Sequence, residues 1–247
     1  MRNSNGLKRH CASCAMIFFL KLDDVDRQHL TGLVNTIVFL HTHRSIAMPI
    51  TQNEAEQIAN QIAPIFNPVL NAYDFEKYPF ESYQAFRDAF TNLNPTNNDI
   101  SNALIWKWGH WGKLNFPQAH RNLIQEIQGL FPIYRLEIGD HTPQNTFNWW
   151  SQHLNRASTF ITVAFITHLI HHEAFIPIID QHNFRGMNAL LRTLRPLMPI
   201  KKKPSNWEDI INLKNFMNSI HKHFTESTYS EIDRFLMMYG KQYVKRV

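Results

Sequence analysis

From Thr51 onward, apolar residues return every third or fourth position, so the chain reads as one helix after another. Thr51 with Glu54 makes a capping box, and Ile58, Ile62 and Ile65 follow along one face. Pro68 and residues 73–79 read as loop. Ser82, Tyr83, Phe86, Phe90 and Leu93 then mark a second helix that ends before Pro95. Thr96 with Asp99 opens a third, carrying Ile100, Ala103, Leu104 and Trp106 until Gly109 and Gly112 interrupt it. Pro117 stands in the first turn of a fourth, which runs through Leu130 with Leu123, Ile124 and Ile127 on one side. Residues 132–143 read as loop, with a short strand at residues 133–136 as an option.

The pattern changes in the second half. A helix begins at Thr146 and ends near Leu154. The next segment, TFITVAFITHLIHH (159–172), is apolar on nearly every side until its last turn. Such a helix has to be covered all round by its neighbours, which makes it the centre of the fold. Its fourteen residues are too few to cross a bilayer. After Asp180 a further helix reaches about Leu194 and is stopped by Pro196 and Pro199. KKKP (201–204) reads as a solvated linker, and residues 206–223 and 227–243 close the chain as two amphipathic helices. No internal repeat or low-complexity segment is evident. The expected fold class is all-α, a single globular multi-helix domain over residues 48–247 built round 159–172.

Residues 1–47 lack clear periodicity, and Met48 precedes a well-formed helix start, so this extension is expected to lie upstream of the biological start. Its apolar run CAMIFFLKL is broken by Lys21 and too short for a membrane span, and Lys8 and Arg9 before it are not followed by a convincing cleavage site. Cys11 and Cys14 form a lone C-x-x-C without the second pair that a structural zinc site needs. With no disulfide framework, a reducing cytoplasm is the expected compartment.

Composition narrows the picture further. The 247 residues are 44% hydrophobic, enough for one sizeable core, and 8 glycines with 12 prolines argue against a turn-dense all-β chain. A net charge of +5 fits a polyanionic partner, and fourteen histidines make the real charge depend on pH. There is no P-loop, dinucleotide fingerprint, nucleophile elbow or kinase signature, and no cofactor is expected.

The chemistry centres on IPIIDQHNFRGMN (176–188), where the apolar run stops at Asp180. The plain reading makes Asp180 a helix cap that accepts from the N–H groups of residues 182 and 183, with His182 and Arg185 as ordinary first-turn residues. The block Ile178-Ile179-Asp180-Gln181-His182-Asn183-Phe184-Arg185-Gly186-Met187, preceded by the apolar helix at 159–170, also resembles the helix-hairpin-helix DNA glycosylase superfamily over about residues 154–195. That resemblance implies a glycosylase-like helical fold, DNA as partner, and Asp180 as the catalytic carboxylate at a flipped-out nucleotide.

His182 and Arg185 would hold the helix, and they stand among the candidate substrate-binding residues. The family hairpin reads Leu-Pro-Gly-Val-Gly, and here Gln152-His153-Leu154-Asn155-Arg156 replaces it. Phosphate capture therefore falls to the side chains of Asn155, Arg156 or Ser158. Ala157 and Ser158 stand where bifunctional members carry a lysine nucleophile, so the resemblance implies a monofunctional enzyme without Schiff-base lyase chemistry.

Three other constellations are weighed against this. In IWKWGHWGK (105–113), Trp106, Trp108 and Trp111 with Lys107 and Lys113 have the composition of a base-stacking, phosphate-contacting strip. Trp108, Trp111 and Lys113 are accordingly counted as substrate-binding candidates, beside the plainer reading of core packing at a glycine turn. His168 and His172, spaced i and i+4 with Asp180 or His182 to complete a set, define a rival reading as a metal-dependent hydrolase. KKK (201–203) with Lys241, Lys245 and Arg246 offers positive charge to a phosphate backbone. The expected function is DNA binding in the manner of a base-excision glycosylase, and the remaining rival is a non-catalytic helical scaffold or partner-binding protein.

Overall fold

Most helices here begin where a short polar side chain meets the orphan N–H groups of a first turn. Thr51–Glu54, Thr96–Asp99, Asn206–Asp209 and Thr228–Glu231 all form reciprocal capping boxes. Thr142 caps another first turn, in which Pro143 loses no bond because its missing N–H would have been unpaired. The computed structural model describes residues 49–154, 156–199 and 201–244. The N-terminal extension and its cysteine pair lie outside the described residues.

In chain order the helices are α1 (Gln52–Ile62), α2 (Phe66–Leu70), α3 (Phe80–Thr91), α4 (Asn97–Lys107), α5 (Gln118–Glu137), α6 (Pro143–His153), α7 (Phe160–Ile170), α8 (Gln181–Leu194), α9 (Trp207–His221) and α10 (Tyr229–Gln242). The fold is all-α, and every regular element among the described residues is helical. No helix among them is long and apolar enough to cross a membrane.

The apolar α7 is the core helix that its pattern requires. Val163, Ala164, Phe165, Ile166 and Leu169 are buried, and α6 and α3 pack against it. Far from it in sequence, Glu54 at the start of α1 grips Arg195 at the end of α8 through two bonds of 2.6 Å. That fork, with the Thr51 amide, holds the Glu54 carboxyl at about 2.

Three expectations need correction. Residues 132–137 are not loop or strand, because α5 continues through Pro132 to Glu137. An interior proline costs a helix about 3 kcal/mol. Burial outweighs that cost here. Phe131 and Tyr134 pack on Trp150, and the Tyr134 hydroxyl meets Thr146 Oγ1 at 2.8 Å. Pro68 is likewise helical, since it lies in the first turn of α2, where no N–H is needed. The KKKP linker is only partly solvated. Lys201 bonds both oxygens of the buried Asp209, at 2.8 and 2.6 Å, and Pro204 is buried.

The most extensive packing is between α8 and α10. Gly186 and Gly240 make it possible by letting the two backbones touch. A Cβ on Gly186 would stand 2.6 Å from the Leu236 carbonyl oxygen, and one on Gly240 would run into the His182 carbonyl. Arg185 closes the seam by donating to the Gly240 carbonyl at 3.2 Å and bonding His182 Nδ1 at 2.8 Å.

Gly186→Ala and Gly240→Ala are each expected to destabilise the fold by about 1–3 kcal/mol, because helix backbones, unlike side chains, cannot step aside. Gly129→Ala, in the interior of α5 with open space around it, is expected to gain about 0.4–1 kcal/mol. Urea denaturation midpoints of the three variants check the contrast.

Candidate functional site

The chain leaves α7, turns back at Phe175 with φ 52°, tightens where the Ile179 N–H donates to the Pro177 carbonyl at 2.9 Å, and reaches Asp180 in an extended conformation. His168, on α7, anchors this return. Its Nδ1–H donates to the Ile176 carbonyl, which can only accept, so the neutral ring is left with Nε2 as acceptor for the Tyr83 hydroxyl at 2.6 Å. Burial holds His168 down to about 3, in keeping with that neutral tautomer.

Asp180 then caps α8. Its Oδ1 accepts from the N–H of His182 at 2.6 Å and of Asn183 at 3.0 Å. Its other oxygen takes no hydrogen bond from any described residue. The carboxylate is only half-buried and lines a cleft that encloses about 60 Å³.

Aromatic rings wall that cleft. Tyr73, Phe75 and Tyr78 come from the loop between α2 and α3, Phe80 and Tyr83 from α3, and Trp106 from the end of α4. The rings brace one another. Tyr83 stacks on Trp106 at 5.4 Å, Tyr78 meets Trp106 edge-on at 5.5 Å, and Tyr73 meets Phe75 edge-on at 5.0 Å. Trp106 Nε1 is tied to the Pro79 carbonyl at 3.1 Å. The opposite wall is a stripe of α10, Ser230, Asp233, Arg234 and Met237, at helical spacing. The Arg234 guanidinium lies 5.0 Å from the centre of the Phe75 ring.

Two further ionisable groups share this space with Asp180. Lys107 lines the cleft with its amine 5.6 Å from the Phe165 ring centre, and it donates a hydrogen bond to no described residue. Burial lowers its pKa, while Asp180 and Asp233 pull the other way. Asp233 accepts from Asn183 Nδ2 at 2.8 Å through one oxygen. Burial pushes its carboxyl up to about 7, with Asp180 adding to the rise and the Asn183 bond, Lys107 and Arg234 opposing it. A cleft walled largely by aromatic rings thus brings together two carboxylates, an amine and a guanidinium.

The other residues picked out from the sequence are scattered. Asn155 lies outside the described residues. Arg156 is exposed and paired with Glu126, and Ser158 is exposed. His182 and Arg185 serve the α8–α10 seam. Trp108 stacks on His120 at 4.1 Å, Trp111 packs edge-on against Phe86 at 6.2 Å, and Lys113 is exposed; none of the three lines the cleft. Of that aromatic strip, the cleft takes Trp106 and Lys107.

The metal reading finds no ligand set. Both His168 ring nitrogens are engaged, and His172 bonds Thr91 Oγ1 at 2.9 Å and Glu173 at 2.6 Å. No group of three or more His, Cys, Asp or Glu able to hold a metal occurs among the described residues. Lys202, Lys203 and Lys241 are exposed, and Lys245 and Arg246 lie outside the described residues.

Sequence reasoning passed over Asp233, Asn183 and the Tyr73–Phe75–Tyr78 loop as site residues. A signal for Asp233 existed, since Ser230, Asp233 and Arg234 form a polar strip beside the apolar face of α10. For the loop aromatics there was none. No protein-family model, no curated protein and no solved structure matches this chain.

The raised Asp233 pKa has a consequence for stability. Between its ordinary value of 3.8 and about 7, the folded chain keeps a proton that the unfolded chain has released. This contribution is therefore fully present below about pH 4 and is lost as pH rises through about 7. Asp233→Asn retains an acceptor for Asn183 and removes the titration. Against the parent chain, its denaturation midpoint is expected to gain more at about pH 8 than at about pH 5. An equal difference at both values would mean that the carboxyl titrates normally. His168, common to both proteins, cancels from the comparison.

Proposed function

We propose that this helical protein binds DNA and releases a flipped-out base, with Asp180 stabilising the positive charge that develops on the sugar. The observation that carries this reading is the disposition of Asp180. One of its oxygens is clamped by the first-turn amides of α8, and the side chain lines a cleft walled by aromatic rings packed on one another. A clamped carboxylate is preorganised, so little reorganisation is needed as charge develops. Aromatic walls suit a planar base taken out of the helical stack. Lys107 and Arg234 beside the cleft, and the chain's charge of +5, suit a phosphate-bearing partner. The block around Asp180 that resembles the helix-hairpin-helix glycosylases supplies the remaining support.

A second reading, a non-catalytic scaffold, has one specific observation in its favour. The two amide bonds already account for Asp180 as a cap, without any reaction.

Asp180→Asn separates the two readings, because asparagine keeps the capping oxygen and loses the charge. The assay is base release from duplex oligonucleotides that each carry one damaged or mispaired base. The catalytic reading expects release by the parent protein, a loss of about 100-fold or more in the variant, and an unchanged fold by circular dichroism. DNA binding should weaken steeply with salt. Absence of release from every oligonucleotide, or equal release by the variant, would overturn it in favour of the scaffold.

A further inference from the structure

We infer that the cleft and the pocket just outside it form one binding site for a small amino-acid-like zwitterion, its ammonium held by Asp180 and Asp233 and its anionic group by Arg234. This goes beyond the DNA reading and does not depend on it. Two cavities meet here. The cleft, enclosing about 60 Å³, and an open outer pocket of about 410 Å³ share Phe75, Phe80 and Arg234 in their walls. Arg234 therefore stands on the partition, its guanidinium 5.0 Å from the centre of the Phe75 ring and 5.6 Å from that of Tyr73. Its polar contacts are long. Nε meets the Ser230 carbonyl at 3.4 Å, and Nη2 stands 3.9 Å from Glu231, a carboxylate already committed to the Thr228 cap. An anion taken in the fork of the guanidinium would be held more closely than either.

The inner chamber presents the opposite sign. Asp180 and Asp233 each use one oxygen for protein donors, and the other oxygen of each accepts from no described residue. Carboxylates beside the faces of aromatic rings suit a donor that is also a cation, because each ring face carries the negative side of its quadrupole. Charge balance then sets the form of the ligand. When both are ionised, Asp180 and Asp233 bring two negative charges and Lys107 one positive, which leaves one negative charge to be matched. Arg234 brings one positive charge at the partition. A simple cation answers only the first need and a simple anion only the second, whereas a zwitterion answers both without adding net charge. The small inner chamber admits the ammonium head, and the outer pocket has room for the rest.

The test is isothermal titration calorimetry of the full-length protein with glycine, 4-aminobutanoate and phenylalanine, and with methylammonium and acetate as half-ligands. Saturable binding of at least one zwitterion is expected, about tenfold or more tighter than either half-ligand. Asp180→Asn and Arg234→Gln are each expected to weaken it by a similar factor. Binding should also be about threefold or more tighter at about pH 8 than at about pH 5, because the Asp233 carboxyl is held up to about 7 and must ionise to take the ammonium. Tyr73, Tyr83 and Tyr229, which also feel Asp233, are kept neutral by burial, and any proton lost from Lys107 acts in the same direction. No saturable binding of any of the three zwitterions, or a half-ligand that binds as tightly as the best of them, overturns the inference on the parent protein alone, whatever the variants do. Binding unchanged by both substitutions, or no tighter at about pH 8, overturns it as well. Base release without zwitterion binding sinks this site and leaves the glycosylase reading standing; zwitterion binding without base release does the reverse.

Discussion

The site depends on one buried amide. Asn183, only 1% exposed, accepts the backbone N–H of Asp180 at 2.8 Å and donates to the Ile178 carbonyl and to Asp233, each at 2.8 Å. The first bond closes the cap of α8, the second fixes the strand of chain that delivers Asp180, and the third ties α8 to α10. A shorter or apolar side chain would take the donor from a main-chain carbonyl and from a part-buried carboxylate, at a cost of about 1–3 kcal/mol for the pair. The orientation of Asp180 and the environment of Asp233 are therefore set by one residue.

Asn183 reaches Asp233 only because α8 and α10 lie backbone to backbone. The glycines at 186 and 240 remove the side chains that would hold the helices apart, and this brings the stripe of Asp233 and Arg234 opposite Asp180. From the other side, the loop before α3 and the end of α4 contribute the rings and Lys107. The cleft is thus a meeting of segments separated by up to about 160 positions, held by packing from both flanks.

Its electrostatics follow from shared burial. Lys107 and Asp233 are of opposite charge, yet desolvation moves both toward neutrality, the amine down and the carboxyl up. Asp180, capped at a helix N-terminus, has the favourable macrodipole beside it. One cleft therefore places a carboxyl and an amine, both shifted toward neutrality, beside a carboxylate fixed by amides.

The local grammar of this chain was legible in its sequence. Thr51, Thr96, Asn206, Thr228 and Asp180 each sit three residues before a side chain that completes a cap, and such boxes act over a single turn, so spacing alone reveals them. The all-round apolarity of 159–172 likewise announced the core helix. Helix α5 ran past Pro132 against its local preference because Tyr134 and Phe131 found partners on α6, which no window of sequence contains. In the tryptophan strip, the residues that looked equivalent were sorted by tertiary packing. Trp108 and Trp111 went to local contacts, while Trp106 and Lys107 went to the cleft. Short-range hydrogen bonds and hydrophobic periodicity are properties of neighbours along the chain, and they determined the helices and the position of Asp180 as a cap. Which groups share a desolvated space with that carboxylate depends on contacts between distant segments, and the tertiary structure alone decided it.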